Sequence, residues 1–248
     1  MASRLFILFY GLVAYAIFLA TFLYAIAFIG DLPVPKTIDS GPVTGWKTAL
    51  AYDLPLLALF AAQHSIMARR GFKRLWTKIV PPAAERSTYV LASSAALIVL
   101  YWLWKPLPAT VWNVTNPDAQ SFLMALYFLG FTIVLVSTFL INHFELFGLH
   151  QIWANLRGQA VPEMKFQTPL FYRMVRHPLY LGFLIAFWSA PHMTQGRLLF
   201  AFGASGYIVL GMLLEERDLV AAFGKHYLDY RDRVPMILPF LKPSRKRD

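Results

Sequence analysis

Arg176-His177-Pro178-Leu179-Tyr180-Leu181-Gly182 is the stretch on which the reading of this chain turns. It sets a cation, an imidazole, a ring-locked residue and an aromatic hydroxyl at the mouth of an apolar segment. Proline has no amide hydrogen to lose at a first helical turn, so Pro178 starts a helix and fixes the turn that aims His177. Downstream, a second apolar segment runs out into Leu214-Glu215-Glu216-Arg217-Asp218-Leu219. The two apolar segments, 178–193 and 197–214, are joined by only a few residues and are expected to double back as a helical hairpin. That brings Arg176 and His177 to the same end as Glu215 and Glu216.

Working outward, the same apolar character recurs at 5–29, 50–67, 88–104 and 121–142. Of the 248 residues, 58% are hydrophobic and 15% are charged, against about 25% charged in a soluble domain. Several runs approach the roughly 20 apolar residues needed to cross a bilayer. The fold class that follows is all-α: a polytopic helical membrane protein with five to six membrane segments, including the C-terminal hairpin. The first segment is too long for the apolar region of a signal peptide and is read as retained. The chain is treated as one domain, with 1–142 mainly scaffold and 143–248 the ligand-binding half.

The net charge is +10, and its distribution matters more than its size. Placing the loops alternately on two sides collects nineteen of the 23 Lys and Arg on one side and four on the other. Basic loops stay cytoplasmic, so both termini and the 68–87 and 143–177 loops are assigned to the cytoplasm, in an inner membrane. The basic excess is a topology and lipid-surface feature, which argues against nucleic acid and makes membrane lipid an expected partner. With no cysteine, disulfides, thiolate metal sites and thiol catalysis are excluded.

Within the scaffold, Gln63-His64-Ser65 falls near the cytoplasmic end of the second helix, where an ionisable residue is a functional candidate. Basic residues alternate with Phe72, Leu75, Trp76 and Ile79 in an amphipathic surface segment. Tyr101, Trp102 and Trp104 are expected to form an outer aromatic belt. His143 and His150 are seven apart and share a helix face if the helix continues through Gly148. Metal motifs on helices usually pair ligands three or four apart, so a polar ligand pocket is favoured over a metal. Residues 152–175 read as a cytoplasmic loop able to lie over a site. Ala201 and Ser205, with Gly203 and Gly206, suggest close helix packing. From Leu219 the spacing of Val220, Phe223, Tyr227 and Tyr230 predicts a cytoplasmic amphipathic helix, stopped by Arg231-Asp232-Arg233-Val234-Pro235. Lys242 to Arg247 reads as a solvated basic tail.

Arg, His, Tyr and two carboxylates at a membrane edge suit a zwitterionic or cationic small molecule. Arg176 or His177 can pair its carboxylate, Glu215 or Glu216 can accept from hydroxyls or an ammonium, and Tyr180 can pack against a ring. No glycine-rich dinucleotide fingerprint follows a strand.

Arg176 to Gly182, Glu215-Glu216, Phe223-Gly224, Tyr227, Tyr230 and the Arg231–Pro235 run together resemble the integral-membrane methyltransferases. That superfamily includes isoprenylcysteine carboxyl methyltransferase and phospholipid N-methyltransferases. Gln63 to Arg69, Glu85-Arg86-Ser87-Thr88-Tyr89-Val90 and Asn142-His143-Phe144-Glu145-Leu146-Phe147-Gly148-Leu149 resemble a narrower group, the bacterial methanethiol S-methyltransferases and their NnrU-like relatives. The resemblance implies S-adenosyl-L-methionine as donor, methanethiol as acceptor and dimethyl sulfide as product. The cofactor-binding set it implies is His143, Gln151, Arg176, His177, Pro178, Tyr180, Gly182, Glu215 and Glu216. His64 and His143 are candidate bases for the thiol proton, and Arg176 is the candidate electrostatic group. Two rival readings stand beside it. One keeps the donor but takes a lipid amine or a prenylated carboxylate as acceptor, and the other is a non-enzymatic membrane protein holding haem through His64 and His143.

Overall fold

The computed structural model describes residues 1–160 and 166–239. Pro162, Lys165 and the basic tail from Lys242 to Arg247 lie outside the described residues. In chain order the elements are α1 (Ala2–Gly30), α2 (Trp46–Ala68), α3 (Arg70–Trp76), α4 (Pro82–Leu103), β1 (Thr110–Asn113), α5 (Pro117–Ile141), α6 (His143–Leu146), α7 (Leu149–Arg157), a 3-10 turn (Leu170–Arg173), α8 (Pro178–Trp188), β2 (His192–Thr194), α9 (Gln195–Phe223) and α10 (Lys225–Arg231). The fold is thus helical, with β1 and β2 pairing as one small sheet. Four described helices, α1, α4, α5 and α9, are long and apolar enough to cross a membrane.

The described residues divide into two compact units. In the first (1–111, 142–160 and 193–200), α4 is the central helix. Tyr10 donates to Thr88 Oγ1 at one end of the α1–α4 contact, and Tyr101 packs on Phe28 with ring centroids 4.8 Å apart at the other. These two helices therefore run parallel. Along α2 the order reverses, because His64 meets Tyr89 and Ser93 while Asp53 Oδ1 accepts from the Lys105 amide. Arg197 in the first turn of α9 and Thr194 at the end of β2 clasp Asp39, at 2.5 and 2.6 Å.

The second unit (112–141, 166–192 and 201–239) is built on α5 and α8. A Cβ added at Gly182 would stand 2.6 Å from the Gly130 carbonyl oxygen, and one added at Gly130 would stand 2.6 Å from that of Gly182. Two glycines thus let antiparallel backbones touch, which is how helices associate where lipid is as apolar as the side chains.

Several expectations change at this level. The hairpin partners are unequal. α8 has 11 residues and α9 has 29, so the charged run at Leu214–Leu219 lies inside α9 rather than beyond it. The amphipathic helix expected from Leu219 is divided at Gly224 (φ 53°) between α9 and the short α10. Part of the expected 152–175 loop is helical, since α7 extends to Arg157. Tyr101 and Trp104 are core residues, 5% and 1% exposed, so only Trp102, at 80%, is placed as a belt residue would be. Gly206 has nothing within 4 Å of an added Cβ, whereas Ala201 of the same stretch is buried and Ser205 accepts from Trp188 Nε1 at 3.0 Å.

The glycines give a direct test by thermal melting in detergent. Gly130→Ala and Gly182→Ala each force two backbones apart and should cost about 1–3 kcal/mol. Gly206→Ala meets no neighbour and should stabilise α9 by up to about 1 kcal/mol through helix propensity.

Candidate functional site

The clearest assembly of sequence-predicted residues is in the second unit. Pro178 opens α8, and His177 stands at its N-cap in a non-helical conformation (φ −125°, ψ 63°). This turn carries Arg176 and His177 to Glu216 on α9. Arg176 Nε donates to Glu216 Oε1 at 2.6 Å, and His177 Nε2 lies 3.2 Å from the same oxygen. Glu215 makes a longer contact, 3.6 Å from its Oε2 to His177 Nδ1, and its side chain remains 45% exposed. The Tyr180 ring lies 5.6 Å from the His177 ring and faces Gly211 on α9. The Arg-His corner and the twin acids therefore meet at one end, as the hairpin reading requires.

A third strand of chain completes this cluster. Arg176 Nη1 donates to the carbonyls of Arg231 and Val234 at 2.9 and 2.7 Å. The amides of Arg176 and His177 donate to the carbonyls of Pro235 and Met236, at 2.9 and 3.2 Å. The segment after α10 is thus strapped across the start of α8, with the guanidinium as its buckle. The stop after Tyr230 was legible in the sequence but its destination was not, because backbone carbonyls carry no residue-specific signal.

Under the strap, Phe166, Tyr227 and Tyr230 form an aromatic group, with ring centroids 5.5 to 5.9 Å apart. Tyr230 donates to the Tyr172 carbonyl at 2.6 Å. The buried hydroxyl of Tyr227 has no hydrogen-bond partner among the described residues. Burial pushes all three tyrosine hydroxyls up, with nearby glutamates adding to it, so they stay protonated donors at neutral pH.

Gly182 and Pro178 are buried and make their contribution through packing.

In the first unit, the three remaining motifs converge on α4. Arg86 Nε donates to the Leu146 carbonyl at 2.7 Å, and its guanidinium covers the Tyr89 ring at 5.1 Å. Gly148, with φ 87°, presses on Ser87, where an added Cβ would lie 2.7 Å from Ser87 Oγ. That glycine ends the helix that began at His143, so His143 and His150 lie on separate helices, α6 and α7. The shared face expected of one continuous helix does not form.

His143 is buried, with Nε2 2.8 Å from the Tyr15 hydroxyl and its ring 4.8 Å from that of Phe147. Burial holds its imidazole below the usual histidine range, so it is neutral at pH 7. Gln151 donates through Nε2 to the Glu145 carbonyl at 3.1 Å, and its buried Oε1 has no partner among the described residues.

His64 is held differently. Ser93 spends its hydroxyl hydrogen on the Tyr89 carbonyl, so it accepts from His64 Nδ1 at 3.1 Å. Nε2 then accepts from the Tyr89 hydroxyl at 2.8 Å. Sequence reading missed Tyr15 and Ser93 because each sits in an apolar helix with no flanking charge to mark it, and it quoted Tyr89 within a motif without giving it a role.

Four membrane-length apolar helices, with ionisable groups gathered into a few side-chain nodes, define an integral membrane protein. A family model described as NnrU protein matches residues 54–217, and the chain belongs to that family. It is 53% identical to a protein of Mycobacterium tuberculosis named methanethiol S-methyltransferase, over 93% of this chain and 95% of that protein. With methanethiol S-methyltransferase 2 of Bradyrhizobium diazoefficiens it shares 50% identity over 100% of this chain and 95% of the other. Human Nurim is 30% identical over 75% of this chain and 77% of its own length.

Removing the guanidinium should release the strap. Glu216 is 13% exposed at its side chain and would keep only His177 as a partner, and breaking a buried ion pair in this way costs up to about 3–5 kcal/mol. Arg176→Ala should therefore melt earlier and be cut faster by trypsin after Arg231 or Arg233. Unchanged cleavage and melting would contradict the buckle role.

Proposed function

We propose that this chain is a thiol S-methyltransferase that transfers a methyl group from S-adenosyl-L-methionine to methanethiol, giving dimethyl sulfide, at the cytoplasmic face of a bacterial inner membrane. The observation that carries the reading is the meeting of Arg176, His177, Glu215 and Glu216 in one strapped cluster, in a chain similar over nearly its full length to proteins bearing that enzyme name.

The residues present suit a cationic nucleoside donor. Arg176 is committed to Glu216 and two carbonyls, so its role is to hold the cluster together and orient Glu216. That leaves the half-exposed Glu215 as the acid able to accept from ribose hydroxyls or an ammonium. The unpartnered Tyr227 hydroxyl offers a donor, and the Tyr180 ring offers a face. Pro178 and Gly182 serve by fixing where α8 begins and how closely it lies on α5. His143 and Gln151 remain proposed donor-binding residues on the sequence resemblance alone.

When bound, S-adenosyl-L-methionine supplies an electrophilic methyl on a sulfonium sulfur. The chain must deliver a thiolate, since a thiol titrating near 8.5 is mostly protonated at neutral pH. His143 is assigned as the proton acceptor, because its imidazole is already neutral and Tyr15 orients it. His64 is the weaker candidate, with both ring nitrogens occupied by Ser93 and Tyr89. The rest is positioning and exclusion of water from two reactants.

The finer topology follows from charge. We propose that α2 is a further crossing and that α8 and α9 form the short-and-long hairpin, giving five to six segments. Both termini are placed in the cytoplasm on the nineteen-to-four split of basic residues. The whole chain acts as one domain, with 1–142 mainly scaffold and 143–248 providing most donor-binding groups.

Headspace analysis of cells fed methanethiol should find dimethyl sulfide only when the intact chain is expressed. His143→Ala should lower turnover by about 10²- to 10⁴-fold at neutral pH. The deficit should shrink as pH rises and the free thiol ionises unaided. Because burial lowers the imidazole's ionisation, the acid limb of the wild type should fall below the ordinary histidine value near 6.5. A loss independent of pH would argue against the base.

A further inference from the structure

α1 and α7 lie side by side and antiparallel. Gly11 meets Ile152, while Gly158 meets the guanidinium of Arg4, 3.0 Å from an added Cβ. Along α1, Arg4, Leu8 and Leu12 are spaced by four, and along α7, Leu149, Trp153 and Arg157 repeat that spacing, so each set forms one stripe. Leu8, Leu12, Leu149 and Trp153 line a groove of about 470 Å³. Both arginines fall at the same end of it.

Among the described residues neither Arg4 nor Arg157 pairs with a carboxylate. The Arg157 guanidinium is held over the Trp153 ring at 5.1 Å, along the groove wall. Asn142 and His150 close the opposite end. At that opposite end Glu145 accepts from the Asn142 side-chain amide at 2.7 Å. Arg4 begins a membrane-length helix, and Leu12 lies about 12 Å deeper along it. An apolar trough that runs inward from two guanidinium groups with no carboxylate partner among the described residues has the charge and shape of one amphiphile with an anionic head.

We propose that this groove binds one anionic glycerophospholipid, its phosphate between Arg4 and Arg157 and an acyl chain along Leu8, Leu12, Leu149 and Trp153. The site is independent of methyl transfer and involves none of the residues assigned to it. Bound lipid would brace α7, which also carries Gln151, against α1.

Native mass spectrometry of the delipidated full-length chain, titrated with dioleoylphosphatidylglycerol or dioleoylphosphatidylcholine, tests the proposal. One phosphatidylglycerol per chain should be retained, with at least about tenfold preference over phosphatidylcholine, since each basic residue near a membrane surface attracts anionic lipid. The Arg4→Gln/Arg157→Gln double variant should lose that preference. Leu12→Trp, which fills the trough and leaves both charges, should lower retention of phosphatidylglycerol, with thermal melting in phosphatidylcholine as the folding control. Equal retention of the two lipids by the wild type would overturn the site, as would wild-type retention by either variant. Should the double variant fail to fold, Leu12→Trp alone decides.

Discussion

The 2.6 Å pair between Arg176 and Glu216 is the constraint on which the second unit depends. Both side chains are largely out of water, and an unpaired ion there is costly, so each fixes the other. The pair ties the first turn of α8 to a point inside α9. The remaining guanidinium hydrogens then draw the segment after α10 across the joint. A lysine in its place would offer one point charge where a planar fork makes three contacts. His177 shares the same carboxylate oxygen, so imidazole, guanidinium and carboxylate are placed by one another.

In the first unit the corresponding role belongs to a helix face. Arg86, Ser87, Tyr89 and Ser93, successive positions along α4, grip the turn after α5 and the end of α2. Gly148 is the position where only glycine suffices, since its φ of 87° and its approach to Ser87 each exclude a side chain. The break it makes turns the chain into α7 and leaves His143 buried beside Tyr15. Chemistry and architecture are linked here, because the residues that bend the backbone also bury the imidazole and keep it neutral.

The helical class and the long apolar segments were legible in the sequence, because length and composition alone decide them. So was the meeting of Arg176-His177 with Glu215-Glu216, since a short connection forces its neighbours together. What escaped was whatever depends on a partner distant in sequence. Glu215 and Glu216 looked like the end of a helix, yet α9 continues to Phe223, because an α-helix tolerates charge as soon as that charge is paired or wet. Tyr101 and Trp104 looked like interfacial anchors but pack on Phe28, a residue whose position no local pattern reveals. The strap was invisible because its hydrogen bonds run to carbonyls. Gly206 drew attention by its spacing, whereas Gly130 and Gly182 make a backbone contact from two different helices.

Together these features describe a membrane protein of the NnrU family whose polar groups are few, paired and placed by backbone geometry. The central claim is that the cluster at the start of α8 holds the methyl donor. Photo-crosslinking of the purified chain with labelled S-adenosyl-L-methionine, followed by peptide mapping, addresses it most directly. Label on the peptides carrying Arg176–Gly182 or Glu215–Tyr227, suppressed by excess unlabelled donor, is the expected result. Competable label confined to other peptides, such as those of α1 or α2, would contradict it.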